Sequence, residues 1–463
     1  MKRTILFTCV GVLCGCADVR MAEYQRPDVP TKSTWSRPAE PPVSAAATIS
    51  PRWWQEFRDP ELDTLVTRAI AGNFDLKILA SRIEVANTQI AEVRAGAQPT
   101  ADLGAGSSLE KTRNQRFSKT YNFGTQVTWD LDIWGQVNKG VQAQQAEFRA
   151  TEADWRAGYL TLAANVSTTY FQIRQLDEQL DRQQRALAKN KQILNIFEAM
   201  HRNGLAADTQ VLRQRAEINR LTKEELELRR ARNVSENALA SLVGVPAGEL
   251  KVQPARLQDR VQIPVVPNGL PLDLLSRRPD VVAAEFRVLE SYNLVGQAKL
   301  AQLPSVNLTG RAGSASFSPG DLLKAFTINL LPSINLPIFN PGIKARIATS
   351  EAQVKVVENG YRAAVIAAYE EVETALVNLD AHKRQHEELR MQVDQLERVA
   401  AQTQAQLSAG LITQIEVFEN ERSLLAAQLE VLSSHQQVLS DTVTLYKALG
   451  GGWAPVEIAN ARD

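Results

Sequence analysis

Two histidines at helical spacing are the first residues in this sequence that could bind a metal. His382 and His386 lie four residues apart, which places both rings on one face of a helix. Lys383 stands where the H-E-x-x-H motif of zinc hydrolases has its glutamate, and no third ligand is evident. The pattern therefore predicts neither a metal site nor any other cofactor.

Motifs for nucleotide binding and catalysis are incomplete. The stretch GAGSS at 104–108 lacks the Lys-Ser/Thr pair and the following helix of a phosphate-binding loop. No nucleophile, general base and orienting group can be picked out together, so the sequence does not predict an enzyme. Lys plus Arg and Asp plus Glu both total 52, and this balance predicts no nucleic-acid partner.

The N-terminus predicts a covalent lipid modification. A charged start at residues 2–3 precedes an apolar run at 5–13 that is too short to span a bilayer. The stretch LCGC at 13–16 resembles a bacterial lipobox, in which the last cysteine is acylated after cleavage. We therefore expect a signal peptide at 1–15 and a lipidated, palmitate-bearing Cys16 at a membrane. The alternative is an ordinary secretory signal with an incidental cysteine.

Residues 16–52 predict a tether. Prolines recur between 27 and 51 among small polar residues, which favours an extended segment rather than a packed element. After residue 16 the sequence contains no run of 18 or more uncharged apolar residues. Any membrane crossing would therefore have to be made by strands.

The rest of the chain reads as two copies of one unit. The dipeptide Gly-Leu occurs at 204–205 and again at 410–411, a separation of 206 residues. A proline between a helical stretch and a strand-like one recurs 205 residues apart, at 99 and 304. We predict a first repeat at 53–250, a second at 251–453 and a C-terminal tail at 454–463.

Each copy predicts a long antiparallel helical hairpin. Apolar residues at coiled-coil spacing run through both copies in one register, for example Leu187 and Leu194 in the first and Leu389 and Leu396 in the second. The hairpins are expected at about 141–243 and 343–449, with first helices of roughly 60 residues or ~90 Å. Polar residues on the first seam, Gln183 and Asn190, either specify register or face a wet interior.

Four strand-like segments precede the hairpins, two in each copy. They span about 100–112, 120–132, 305–316 and 325–338, the length that a tilted strand needs to cross hydrocarbon. Apolar residues alternate with polar ones, so one face is expected to contact lipid and the other to line an aqueous lumen. The residues predicted to face lipid are Tyr121, Phe123, Val127, Trp129, Phe326, Ile328 and Leu330.

The alternation alone also fits a small soluble sheet that packs one face on a helical core. The hairpins have their own seams, however, and leave no obvious layer to cover the sheet. Four strands cannot close a barrel, because two open edges in lipid would leave backbone groups unsatisfied. Several chains would therefore share one barrel.

Five motifs together resemble the outer-membrane factor family, the TolC-like and NodT-type lipoproteins of tripartite efflux pumps. They are WWQEFRDPELDTL (53–65), WDLDIWG (129–135), RRPDV (277–281), PIFNPG (337–342) and ALGGGW (448–453). The fourth departs from the family's PLFDGG-like turn, which leaves the local turn open.

The resemblance implies a mainly α fold with a small membrane β part. Three chains would form a homotrimer with a 12-stranded barrel in outer-membrane lipid and a helical tunnel through the periplasm. The partners would be a periplasmic adaptor and, through it, an inner-membrane transporter of the RND type. The chain would be a passive exit duct for small molecules. Alternatives left open are a duct for type I protein secretion and a non-conducting coiled-coil scaffold.

The resemblance also assigns roles to residues at the hairpin ends. The tips Gly204, Leu205, Gly410 and Leu411 would dock on the adaptor, although glycine there is also an ordinary helix cap. Just past the second tip, Ile415, Glu419 and Arg422 lie on one helical face and would form the closed periplasmic gate, with Asp208 a weaker candidate. The alternative for Glu419 and Arg422 is a solvated ion pair.

Overall fold

The computed structural model describes residues 24–32, 34–36, 49–111, 117–257, 261–266, 274–322, 324 and 326–453. Within these ranges each half of the chain has the same order: a helix, two antiparallel strands, a very long helix and a shorter returning helix. Equivalent elements in the two halves start about 205 residues apart, which confirms the internal repeat. The predicted signal peptide, Cys16 and the tail at 454–463 lie outside the described residues.

The helices and strands have the following bounds. In the first half they are α1 (Pro60–Gly72), α2 (Phe74–Ala95), β1 (Thr100–Glu110), β2 (Ser118–Leu131), α3 (Gln136–Arg202) and α4 (Asp208–Val243). In the second half, after a single turn at Leu274–Arg277, they are α5 (Pro279–Leu300), β3 (Ser305–Ser316), β4 (Phe326–Asn335), α6 (Pro341–Ser408) and α7 (Gln414–Ala448).

The four strands form one antiparallel sheet in the order β1-β2-β3-β4. The pairing register sets Phe123 beside Ser314 and Gln126 beside Arg311, so odd-numbered residues of β2 share one face and even-numbered residues share the other. β4 ends at Asn335 rather than at 338, because its partner β3 begins at Ser305, the residue that pairs with Asn335. The other three strands match their predicted ranges to within about two residues.

The two long helices give the protein its length. They contain 67 and 68 residues, which corresponds to ~100 Å each. Most of the predicted seam of the first hairpin is buried, including Gln183, Leu187 and Asn190, whereas Leu194 is half-buried. The Gln183 amide donates to the Leu221 carbonyl at 3.0 Å, and the Gln214 amide donates to the Asn190 side chain at 2.9 Å. These polar residues are paired inside the hairpin, which favours the register role over a wet interior.

An aromatic core joins the start of the first half to the end of the second. Trp53, Trp54 and Phe57 are fully buried, and the Trp53 ring stacks on Tyr446 of α7 with centroids 5.1 Å apart. Asp59 caps α1 by accepting from the Glu61 amide at 2.9 Å, and its other oxygen accepts from the Tyr170 hydroxyl. The motif at 53–65 is therefore a structural anchor.

The four remaining motifs have local structural roles. Arg278 of RRPDV is buried and donates to the carbonyl of Ala448 in ALGGGW at 3.1 Å, so these two motifs lie against each other. In WDLDIWG, Asp132 accepts from the first amides of α3. In PIFNPG, Asn340 accepts from the Ile343 amide at 3.2 Å, so this turn is a capped helix start.

Among the described residues, none of the helices is apolar over a stretch long enough to cross a membrane.

Candidate functional site

One face of the sheet is apolar and exposed. Tyr121, Phe123, Val127 and Trp129 of β2 share this face with Phe326, Ile328 and Leu330 of β4, as the alternation predicted. Ile328 and Leu330 have 75% and 68% of their surface exposed, so nothing in the described chain covers them. The indole nitrogens of Trp129 and Trp134 donate to the carbonyls of Ala97 and Pro304, at the end of the sheet nearest the helices. This end therefore has the aromatic, partly polar character of a membrane interface.

The opposite face of the sheet is concave and polar. Its cavity is lined by Asp102, Asn122, Gln126, Arg311 and Asn329, with glycines between them. A Cβ at Gly124 would lie 2.9 Å from the Ala312 carbonyl oxygen, and one at Gly313 would lie 2.7 Å from that of Phe123. Glycine at these positions allows neighbouring strands to approach closely where the sheet curls.

Both hairpin tips have the same backbone geometry. Gly204 and Gly410 adopt φ values of +74° and +72°. The amide of Leu205 donates to the Met200 carbonyl and that of Leu411 to the Gln406 carbonyl, each at 2.9 Å, which is the Schellman arrangement. The glycines therefore act as helix caps. Leu205 and Leu411 are 73% and 75% exposed, so each cap also presents an apolar side chain at the end of the molecule.

The three residues predicted to form the gate lie in the first turns of α7. Ile415, Glu419 and Arg422 are all exposed on one face. The Arg422 guanidinium donates to the Glu419 carboxylate at 2.7 Å, so within one chain these two side chains form a solvated ion pair. Asp208 is exposed at the start of α4.

A contact between the two hairpins was not predicted. Lys189 of α3 forms an ion pair with Glu421 of α7, with nitrogen and oxygen 2.5 Å apart. Nearer the tips, the rings of Phe197 and Phe418 meet with centroids 6.2 Å apart. Phe197 was on the predicted seam, but no periodicity indicates which residue of the other repeat it meets.

The N-terminal segment is extended, as predicted, but it packs against the helices. The Tyr24 hydroxyl donates to Glu285 of α5 at 3.0 Å, and the Arg26 guanidinium donates to the other oxygen of the same carboxylate at 2.5 Å. Glu285 is only 3% exposed. Burial and the Glu285 carboxylate raise the pKa of Tyr24, so its hydroxyl stays protonated and continues to donate.

A second set of contacts holds the same segment to α6. Lys32 and Ser36 both bind the Glu373 carboxylate. The ring of Trp35 is buried against Tyr369, with centroids 6.2 Å apart. We call residues 24–36 the strap. The sequence predicted its extended form from its prolines and did not predict these partners.

Three of the four histidines form two separate contacts between α6 and α7. His382 contacts the Asp441 carboxylate through Nδ1 at 2.5 Å. The rings of His386 and His435 lie 5.2 Å apart, and burial lowers the pKa of both, that of His435 to about 4. Among the described residues, no group of three or more His, Cys, Asp or Glu side chains could hold a metal ion. His382 and His386 therefore belong to separate contacts across α6 and α7.

One carboxylate pair lies where α3 and α5 pack. Burial, together with the charge and a hydrogen bond of Glu147, raises the pKa of Glu290 to about 7. Arg287 on the same helix binds Asp154 and lies 3.5 Å from Glu147. The Glu290 carboxyl therefore keeps its proton to a higher pH than an ordinary glutamate does.

A model of one protein family and several known proteins match this chain. The family model, described as outer membrane efflux protein, matches residues 65–245 and 270–451, one segment in each half. The pyoverdine export outer membrane protein OpmQ of Pseudomonas aeruginosa is 30% identical over 87% of this chain and 87% of its own. The toluene efflux pump outer membrane protein TtgI of Pseudomonas putida is 28% identical over 96% and 97%.

Two solved structures of outer-membrane channels share this fold. The MtrE outer membrane channel of Neisseria gonorrhoeae, in its open state, superposes with a TM-score of 0.84 at 26% identity, over 94% of this chain and 98% of that one. The outer-membrane channel OprN superposes with a TM-score of 0.82 at 25% identity, over 94% and 99%.

Proposed function

The chain belongs to the outer membrane efflux protein family and is an outer-membrane efflux channel, and from this premise we propose that three copies close their sheets into one 12-stranded barrel. The six hairpins of the homotrimer continue the barrel as a tunnel into the periplasm. Small molecules pass passively through it from a periplasmic adaptor and an inner-membrane transporter of the RND type. The chain has no catalytic role in this transport.

The observation that carries this proposal is the two-sidedness of the sheet. Its apolar face is exposed, its polar face is concave, and β1 and β4 are edge strands within one chain. A lipid-facing sheet cannot leave two edges unpaired, because each free backbone group in hydrocarbon costs several kcal/mol. Pairing β4 of one copy with β1 of the next satisfies both edges.

The hairpin ends provide the periplasmic functions in this proposal. The exposed leucines at 205 and 411, held in place by the caps at Gly204 and Gly410, dock on the adaptor. Ile415, Glu419 and Arg422 gate the entrance around the trimer axis, with Asp208 beside them. Glu419 is paired with Arg422, so these two residues add no net charge to the closed gate. A net charge appears there only when the ion pair separates.

A lipid on Cys16 and the strap anchor the protein to the outer membrane. Eight residues separate Cys16 from Tyr24, which span at most ~28 Å. From Glu285, where Tyr24 binds, α5 rises ~22 Å to Leu300, just before β3. An acyl chain on Cys16 can therefore reach the membrane leaflet that the helix-proximal end of the sheet enters. Residue 17 favours the outer membrane, because Ala17 stands where an aspartate would mark the protein for retention in the inner membrane.

In this proposal the inner-membrane transporter selects the cargo, and the channel does not. The two relatives named for pyoverdine and for toluene are similarly related to this chain, at 30% and 28% identity, although their names give different cargoes. Both are small molecules, which supports small-molecule efflux over protein secretion.

Planar-bilayer recording tests the proposal. Purified protein should be a trimer by native mass measurement and should conduct ions, with Glu419→Lys raising the conductance. A monomer, or a trimer that does not conduct even with Glu419→Lys, would show that the channel proposal is wrong. Fractionation of the lipidated chain with inner-membrane markers would contradict the localisation.

A further inference from the structure

A row of long polar side chains crosses the concave face of the sheet. The pairing register aligns Asp102 of β1, Gln126 of β2, Arg311 of β3 and Asn329 of β4, one from each strand. All four line the same cavity. The next row holds glycine on the first three strands and threonine on the fourth, so it projects almost no side chain. Long side chains therefore narrow the concavity at the row that contains Arg311.

One nitrogen of the Arg311 guanidinium is hydrogen-bonded to the protein, and the two terminal nitrogens are available to a ligand. Its Nε donates to the Gln126 side-chain oxygen at 2.9 Å. Among the described residues, its two terminal nitrogens have no hydrogen-bond or ion-pair partner. Asp102 lies two strands away, with the two backbones ~10 Å apart at the usual strand spacing, and the two described side chains form no ion pair. The fork of donors therefore faces the concavity in a fixed position.

Arg311 is also the one cation on this face among the described strand residues. The other charged side chains on the concave face are the carboxylates Asp102, Glu110 and Asp130. Lys119 of β2 lies on the opposite, apolar face, with its ammonium 5.0 Å from the Tyr121 ring. Without Arg311 the charged side chains that the described strands place on this face would all be acidic.

We propose that Arg311 is the residue that admits anions to this channel, by transient binding of carboxylate, sulfonate or phosphate groups on permeating molecules. This inference rests on the proposed function, because the concave face must enclose a lumen. A guanidinium offers two parallel donors that match such groups in geometry and charge. Gln126 is a positioning residue, since it fixes the guanidinium and does not itself carry the charge.

Ion selectivity of the reconstituted trimer under a KCl gradient tests the inference. Arg311→Gln should lower the ratio of chloride to potassium permeability at least about fourfold, because one unit charge ~5 Å from an ion in a watery pore changes the occupancy of that ion by about this factor. Arg311→Lys should retain the wild-type ratio. Asp102→Asn removes an opposing charge and should raise the ratio, which keeps the inference testable if Arg311→Gln does not assemble.

Lys119→Gln is the matched control, because it removes the same charge from the lipid-facing side of the same sheet. It should leave the permeability ratio unchanged. Normal conductance with an unaltered ratio in Arg311→Gln, or an equal shift in Lys119→Gln, would overturn the role of Arg311 without touching the proposed function. Absence of conductance in the wild-type trimer would instead overturn the proposed function.

Discussion

Lys189 on the long helix of the first repeat and Glu421 on the returning helix of the second form an ion pair, with Nζ and Oε1 2.5 Å apart. The pair lies beside a cleft of about 310 Å³ that both hairpins line. The first hairpin contributes Arg182, Arg185 and Arg220 to this cleft. Separation of the hairpins at the entrance would break the pair, so its contribution should appear in the balance between closed and open channels.

Glu421→Gln should raise the open fraction of the channel by up to about fivefold, since a partly exposed ion pair is worth at most ~1 kcal/mol. Single-channel recording measures this fraction. Glu430→Gln, an exposed site on the same helix, is the control and should have no effect. The charge swap Lys189→Glu with Glu421→Lys should restore wild-type behaviour. A swap that gates like the single variant would show that the pair does not hold the hairpins together.

Replacing the exposed tip leucines should separate docking from conduction. Leu205→Ser with Leu411→Ser removes the apolar side chains that the caps present, and we expect loss of adaptor binding with conductance unchanged. Leu226→Ser, at a similarly exposed leucine away from the tips, is the control and should bind the adaptor normally. Wild-type adaptor affinity in the double variant would contradict the docking role.

Two glycine substitutions in the second hairpin should have opposite signs. Gly410→Ala places a Cβ in the left-handed region and should cost ~1 kcal/mol. Gly360 lies inside α6, where a Cβ would meet no atom within 4 Å, so Gly360→Ala should stabilise the chain by ~0.5–1 kcal/mol. Thermal unfolding of the trimer measures both. Destabilisation by the two variants alike would argue against the cap geometry.

The strap should stabilise the folded protein mainly through its contacts with Glu285. Tyr24→Phe with Arg26→Gln removes two donors from a buried carboxylate and should cost ~1–3 kcal/mol. Glu285→Gln in the same background should recover part of the loss, because a neutral amide is less costly to bury. Lys32→Gln, at the more exposed Glu373 contact, should cost much less. Protease resistance and unfolding temperature report these changes; equal values for all variants would mean that the strap contributes nothing.

The raised pKa of Glu290 predicts that the free energy of unfolding falls as the pH rises. The pKa of Glu290 in the folded protein, about 7, lies above the ordinary glutamate value of 4.5, so the folded state binds more protons between these values. The contribution of Glu290 to the free energy of unfolding is therefore fully present below pH 4.5 and is lost as the pH rises through 7. Glu290→Gln should raise stability at pH 8 by ~1–2 kcal/mol, after a discount for partial exposure, and change little at pH 4.

Unfolding curves at several pH values provide the measurement for Glu290. Glu249→Gln, at an exposed turn, is the control. A wild-type protein whose stability is flat between pH 5 and 8, or a Glu290→Gln variant that loses stability at pH 8, would contradict the raised pKa of Glu290.

The sequence by itself determined the features that depend on neighbours along the chain. The two-residue alternation of Phe123, Val127 and Trp129 predicted an apolar sheet face, because successive strand side chains point to opposite sides. The seam through Leu187 and Leu194 predicted a hairpin, and the recurring Gly-Leu pair predicted both its caps and the repeat. Each of these patterns is set by fixed local geometry, so it survives without knowledge of the fold.

Tertiary structure alone decided which distant residues meet. The contacts of Tyr24 with Glu285, Lys189 with Glu421, and Arg311 with Gln126 join residues 185 to 261 positions apart. A shift of one residue in strand register would turn Arg311 to the apolar face of the sheet, and a helix about 100 Å long offers many equivalent turns for a partner. Local periodicity states which face a side chain occupies, whereas packing and register of the whole chain select its partner.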